Sequence, residues 1–153
     1  VGAAVRAAVV AGRPVVVDSR MTANAIHSAA LPAGARVVCG LDHPDVAAHA
    51  DRLGTTRSAA GILLLHAELD GAVVVVGNAP TALFALLEIM LDDGVRPAAI
   101  FGFPVGFVGA AESKDALVDH AGDVPFATVL GRRGGSAMAG GALNGALLGG
   151  GDA

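Results

Sequence analysis

Four consecutive valines, Val73 to Val76, constrain this chain more than any other feature. Successive side chains of a strand point to opposite faces, so an unbroken apolar run needs cover on both sides. Such strands belong to parallel sheets packed between helices. The valines lie in the run Ala72 to Gly77, and four other short runs share its character: Pro14 to Asp18, Arg36 to Leu41, Ala98 to Gly102 and Phe126 to Gly131. The polar–apolar alternation of a one-sided strand is missing, which argues against a sandwich.

Helical stretches separate the runs, at Gly2 to Ala11, Pro44 to Leu53, Thr56 to Leu69, Thr81 to Asp92, Ala111 to Asp119 and Ser136 to Leu148. Gly12, Gly54, Gly71 and Gly94 follow four of them as C-terminal stops. Strand and helix therefore alternate, which predicts an α/β domain of three layers (αβα) around a five-stranded, mainly parallel sheet. With 153 residues the chain has room for one domain. It is placed at 1–148, with a Gly-rich, frayed tail at 149–153.

Composition narrows the function classes. Hydrophobic residues make up 54% and charged residues 16%, enough apolar material for a sizeable core. Trp and Tyr are absent, Phe numbers five and the net charge is −4, so stacking platforms and a basic surface for nucleic acid are lacking. The longest uncharged apolar stretch, Pro97 to Ala111, is about 15 residues with two prolines, short of the ~20 needed to span a bilayer. No basic segment precedes a hydrophobic core near Val1, so no secretory signal is read and the cytoplasm is the expected compartment. Cys39 is the single cysteine, which excludes an internal disulfide, and its apolar neighbours mark it as a buried residue. The first residue is Val, inside what reads as a helix under way, so the chain is expected to be processed or a fragment.

Ligands of open parallel sheets bind beyond the carboxyl ends of the strands. The relevant loops are Asp18 to Asn24, Gly77 to Thr81, Gly102 to Gly109 and Gly131 to Ser136. Helix N-termini carry partial positive charge and favour acids. Two starts obey the rule: Asp42-His43-Pro44-Asp45 offers a cap, a first-turn proline and an acid, and Glu112-Ser113-Lys114-Asp115 places acids early. Three starts break it. Thr55-Thr56-Arg57 sets an arginine in the first turn, Arg132-Arg133-Gly134-Gly135-Ser136 sets two just before the last helix, and Gly77-Asn78-Ala79-Pro80-Thr81 has no acid. Backbone N–H groups, dipole and guanidinium then share one sign, which an anionic ligand would neutralise. The plainer reading is that these arginines extend into solvent or pair with acids such as Asp18, but three such starts on one sheet edge favour a site. Gly77, Gly102, Gly106, Gly109, Gly134 and Gly135 permit positive φ and close approach of a ligand.

Other chemistries lack their residues. No Gly-Lys-Ser/Thr occurs, the dinucleotide pattern is broken at Gly102-Phe103-Pro104-Val105-Gly106, and no Gly-x-Ser-x-Gly is present. His43 and His49 fall on different helix faces, His66 and His120 lie toward helix C-termini, and His27 has no identifiable partner, so no metal site is expected.

Three long stretches carry a more specific signal. They are Gly77-Asn78-Ala79-Pro80-Thr81-Ala82-Leu83-Phe84, Pro104-Val105-Gly106-Phe107-Val108-Gly109-Ala110-Ala111-Glu112-Ser113-Lys114 and Gly131-Arg132-Arg133-Gly134-Gly135-Ser136-Ala137-Met138. In order, spacing and strand-end placement they closely resemble the precorrin-8X methylmutase family, and Thr56-Arg57-Ser58-Ala59-Ala60 and Leu31-Pro32-Ala33-Gly34 extend the likeness over nearly the whole chain. The resemblance implies a flavodoxin-like fold and an isomerase that moves a methyl group from C-11 to C-12 of a corrin ring, giving hydrogenobyrinate or its cobalt counterpart. It also implies a homodimer with sites near the subunit interface and no redox cofactor. A corrinoid is an apolar macrocycle fringed with carboxylates, so it wants an apolar floor and a basic rim. Arg57, Asn78, Thr81, Arg132 and Arg133 would serve the rim, and Val105, Phe107 and Met21 the floor.

Two departures from the family pattern stand out. The resemblance places a proton-donating histidine upstream of the position matching Val1, and neither His27 nor His43 falls at that motif position. Ala25-Ile26-His27-Ser28 stands where the family reads close to Gly-Ile-Thr-Arg, which changes a hydroxyl and a guanidinium. The expectation is weak corrinoid binding and poor isomerisation by the 153 residues alone. The alternatives are a corrinoid-binding pseudoenzyme and a flavodoxin-like binder of nucleotide or flavin.

Overall fold

A computed structural model gives the structure of residues 1–149. The expected tail at 149–153, Gly149 apart, lies outside the described residues. The strands are β1 (Val15–Val17), β2 (Val37–Cys39), β3 (Val73–Val76), β4 (Ala99–Gly102) and β5 (Phe126–Thr128). They form one sheet in the order β2-β1-β3-β4-β5, and every pairing is parallel. The helices are α1 (Gly2–Val10), α2 (Arg20–Asn24), α3 (Val46–Leu53), α4 (Arg57–Leu64), α5 (His66–Leu69), α6 (Pro80–Asp93), α7 (Ala110–His120) and α8 (Ser136–Leu148).

The valine run behaves as its pattern demands. Val74 and Val76 join Val16 and Ile100 on one face, under Ile62 of α4, Leu83 and Leu86 of α6 and Leu117 of α7. Val73 and Val75 join Val15, Val17 and Phe101 on the other, under Val5 of α1 and Leu143 of α8. This is the three-layer αβα arrangement, with the flavodoxin-like strand order in which the chain turns back at β1 and crosses to β3. The crevice between the ends of β1 and β3 is the switch point of such a sheet.

Double-sided burial holds for the three inner strands only. β2 and β5 are edges, and Val37 is 37% exposed while Phe126 to Thr128 are half-buried. β5 stops at Thr128 rather than Gly131, because the carbonyls of Val129 and Gly131 turn away to a lysine described below. The helix expected from Thr56 to Leu69 breaks at Leu65 into α4 and α5, and a short helix, α2, occupies the loop expected after β1. Gly54 and Gly94 end α3 and α6 in the left-handed conformation at φ +62° and +70°.

The start expected at Asp42-His43-Pro44-Asp45 is also corrected. Gly40 to Asp42 form a 3-10 turn, α3 begins only at Val46, and Asp42 pairs with Arg20 at 2.7 Å instead of capping. Asp45 precedes α3 but makes no side-chain cap bond. Cys39 is buried at the end of β2, and burial pushes its thiol pKa up. Its alkylation by iodoacetamide at pH 8 is therefore expected to run at least about tenfold slower in the folded protein than in guanidinium chloride. Equal rates, followed by mass spectrometry, would contradict the burial.

Candidate functional site

The ends of β1, β3, β4 and β5 deliver their loops to one edge of the sheet, because all strands are parallel. At the switch point stands Asp18, 2% exposed. Its Oδ1 accepts hydrogen bonds from Gly77 N at 2.9 Å and Thr22 Oγ1 at 3.0 Å, and its Oδ2 from Asn78 N at 2.9 Å and Ala79 N at 2.8 Å. The acid that the sequence lacks at the start of α6 is thus supplied from β1, about 60 residues away. The option of pairing Asp18 with an arginine is overturned: four donors hold the carboxylate without a cation.

A buried hydroxyl chain extends from it. Ser19 caps α2 by accepting from Thr22 N at 3.1 Å, Thr22 Oγ1 lies 2.9 Å from Ser19 Oγ, and it lies 3.0 Å from Ser136 Oγ at the first turn of α8. Asn144 of α8 donates to Ala25 O and accepts from His27 N, both at 3.0 Å, fixing the backbone of the Ala25-Ile26-His27 segment.

Contacts run along the loops from Arg57 to Arg133. Thr56 caps α4 by accepting from Ala59 N, and its hydroxyl meets Thr81 Oγ1 at 2.6 Å, joining the starts of α4 and α6. Val105 N donates to Asn78 O at 3.4 Å, Gly106 N to Arg132 O at 3.3 Å and Gly135 N to Phe103 O at 2.8 Å. Gly134 lies so close that a Cβ there would stand 2.3 Å from Phe103 O. Of the six loop glycines, Gly106, Gly109 and Gly135 take positive φ, while Gly77, Gly102 and Gly134 serve close packing. The Arg132 guanidinium sits 5.5 Å over the Phe107 ring, a cation–π contact.

Of the eight residues chosen from sequence, Met21, Arg57, Asn78, Val105, Phe107, Arg132 and Arg133 are exposed and Thr81 is half-buried. Phe107 is 83% exposed and Met21 73%. The loop contacts above gather the segments of Arg57, Asn78, Thr81, Val105, Phe107, Arg132 and Arg133 into an open shelf, while among the described residues no hydrogen bond, ion pair or cation–π contact ties Met21 of α2 to it. A cleft of about 450 Å³ beside it is lined by Leu53, Thr55, Leu63, Thr81, Phe84, Ala85 and Glu88, and so shares only Thr81 with the shelf. Among the described residues, the ion pairs involve Arg20, Arg36, His66 and Arg96, leaving Arg57, Arg132 and Arg133 without a carboxylate partner.

The model of the family described as precorrin-8X methylmutase matches residues 1–148, the whole of this sheet and its loops. The chain belongs to that family. It is 55% identical over 139 residues to the precorrin-8X methylmutase of a Sinorhizobium species, covering 91% of this chain and 66% of that protein. With the precorrin-8X methylmutase of Pseudomonas aeruginosa it is 56% identical, over 94% of this chain and 69% of that one. The chain thus spans about two thirds of the length of these curated relatives. The crystal structure of precorrin-8X methylmutase from Thermus thermophilus superposes with a TM-score of 0.82 at 39% identity, covering 95% of this chain and 71% of that one.

Among the described residues of this methylmutase fold, a cation is buried within the acid-led start of α7. Lys114 of α7 is fully buried. Its ammonium donates to Val129 O at 3.0 Å, to Gly131 O at 2.7 Å and to Arg133 O. Burial pushes its pKa down from the usual lysine value. A signal was available: Ala110, Ser113, Lys114 and Leu117 follow the i, i+3, i+4, i+7 spacing of one helix face, and all four are buried. Among the described residues no three His, Cys, Asp or Glu side chains gather as metal ligands, and no helix is long and apolar enough to cross a membrane.

Proposed function

We propose that this chain provides the corrin-binding shelf of a cytoplasmic methylmutase, which holds a precorrin-8X-type ring while a methyl group moves from C-11 to C-12. The observation that carries the reading is the set of three arginines, Arg57, Arg132 and Arg133, left without acid partners beside exposed Val105 and Phe107. Guanidinium groups take the peripheral carboxylates, and the apolar residues take the face of the macrocycle. Asn78 and Thr81 add amide and hydroxyl partners at the same rim. The migration is intramolecular, so the work of these residues is to bind and orient. Protonation of the ring belongs, in this reading, to the histidine that the family resemblance places ahead of the Val1 position.

The switch point argues against a nucleotide or flavin. A phosphate there needs free N–H groups at a helix N-terminus, and Asp18 already occupies those of Gly77, Asn78 and Ala79. In a thermal-shift comparison, hydrogenobyrinate is expected to stabilise the chain and flavin mononucleotide to leave it unmoved. The reverse result would sink the reading. Arg57→Ala is expected to weaken hydrogenobyrinate binding about tenfold, ~1.4 kcal/mol, and to flatten its dependence on salt. An unchanged dissociation constant would remove Arg57 from the rim.

The reading includes a homodimer. Val108, which follows Phe107 in the chain, is 90% exposed, an apolar side chain at the border of the shelf that a second copy would cover. Sedimentation analysis at micromolar concentration is expected to give twice the chain mass, and a monomer under those conditions would refute the dimer.

A further inference from the structure

Lys114 is the chain's only lysine, and no solvent reaches it. An ammonium has three N–H donors, and here three carbonyls of alternate residues, Val129, Gly131 and Arg133, fill them. Among the described residues no carboxylate comes within ion-pair distance of it. The coil after β5 therefore wraps around a cation. With these carbonyls turned inward, Leu130, Arg132 and Arg133 are all exposed, and Arg132 O is taken by Gly106 N of the neighbouring loop.

We propose that Lys114 is a positioning residue for the rim: by gathering the carbonyls of residues 129, 131 and 133 it sets Arg132 and Arg133 side by side as a seat for ligand carboxylates. The proposal rests on the corrin-binding reading above and deepens it. A neutral amide would supply two N–H donors to such a turn without any charge, whereas the ammonium supplies three and a full positive charge. A buried ammonium without a counter-ion adds positive potential beneath the two guanidinium groups, in a medium where it is poorly screened. A carboxylate partner would have cancelled that potential. Burial pushes the lysine pKa down, while three carbonyl oxygens favour its charged form.

The test uses Lys114→Met, which removes donors and charge, and Lys114→Gln, which keeps two N–H donors without the charge. Affinity is measured for hydrogenobyrinate and for its fully methyl-esterified form, which offers the same ring without carboxylates. Both variants are expected to lose about tenfold or more in affinity for the acid and less than about twofold for the ester. Equal losses for the two ligands would reduce Lys114 to a structural residue, and an unchanged affinity for the acid would also overturn the proposal. Should Lys114→Met fail to fold, Lys114→Gln carries the same comparison. Limited trypsinolysis supplies an arm that does not depend on the ligand: peptides ending at Arg132 or Arg133 should form at least about tenfold faster from the variants than from the parent chain. If the parent chain binds neither ligand, the corrin reading fails and the tryptic arm alone decides, with equal cleavage rates refuting the tie.

Discussion

Asp18→Ala is expected to lower the stability of this domain by about 4 kcal/mol, measured by urea unfolding. The carboxylate is 2% exposed and accepts from three consecutive backbone N–H groups and one hydroxyl. Each buried donor left unpaired costs roughly 1–3 kcal/mol, and water entering the vacated space recovers part of the total. Asp18→Asn should fall between the parent and the alanine variant, because one amide oxygen can serve part of the set while its NH₂ faces N–H groups. Since Asn78 lies in that set, corrinoid affinity should fall as well. A loss below about 1 kcal/mol would mean that the 77–79 turn forms without the carboxylate, and the account of the switch point would then be wrong.

Gly61→Ala is expected to cost about 3 kcal/mol although alanine is the better helix former by ~1 kcal/mol. A Cβ at Gly61 would stand 2.8 Å from Gly40 C and 2.9 Å from its Cα, and a Cβ at Gly40 would stand 2.4 Å from Gly61 C. Both neighbours are backbone, so α4 must move off the 3-10 turn rather than a side chain stepping aside. That movement also pulls Thr56 from Thr81 and shifts Arg57, so binding should weaken together with stability. A neutral or stabilising substitution in the same unfolding assay would show that the two backbones can part at little cost.

The two glycines illustrate why some of the fold was legible and some was not. Val73 to Val76 announced an inner strand because four adjacent apolar side chains need two covered faces, a condition written entirely in neighbouring residues. Helix ends at Gly54 and Gly94 were legible for the same local reason, since each left-handed stop lies next to the helix it ends. Gly40 and Gly61 looked like any other glycines, for the reason to exclude a side chain at each is the backbone of the other. The late start of α3, the break at Leu65 and the early end of β5 likewise follow from contacts with distant segments or, for Leu65, have no account in the residues nearby.

The candidate site divides in the same way. Its place at the carboxyl edge of a parallel sheet, its arginines and its membership of the precorrin-8X methylmutase family were all legible in the order of residues, because loops at strand ends keep their chemistry in contiguous text. The role of Asp18 was not. An arginine-free, acid-free helix start at Gly77 to Thr81 invited an outside anion, and only the crossing from β1 to β3 brings a carboxylate of the chain's own to that spot. Lys114 is the counterpart of opposite sign: helical spacing could place it on a buried face, but its partners depend on where the coil after β5 runs. Sequence by itself determined the layers, the sheet edge on which the candidate site is placed and the family, since hydrophobic period and contiguous motifs are local. Tertiary structure decided which charges are neutralised within the fold and which remain free for a ligand, since a charge is cancelled by whatever lies near it in space.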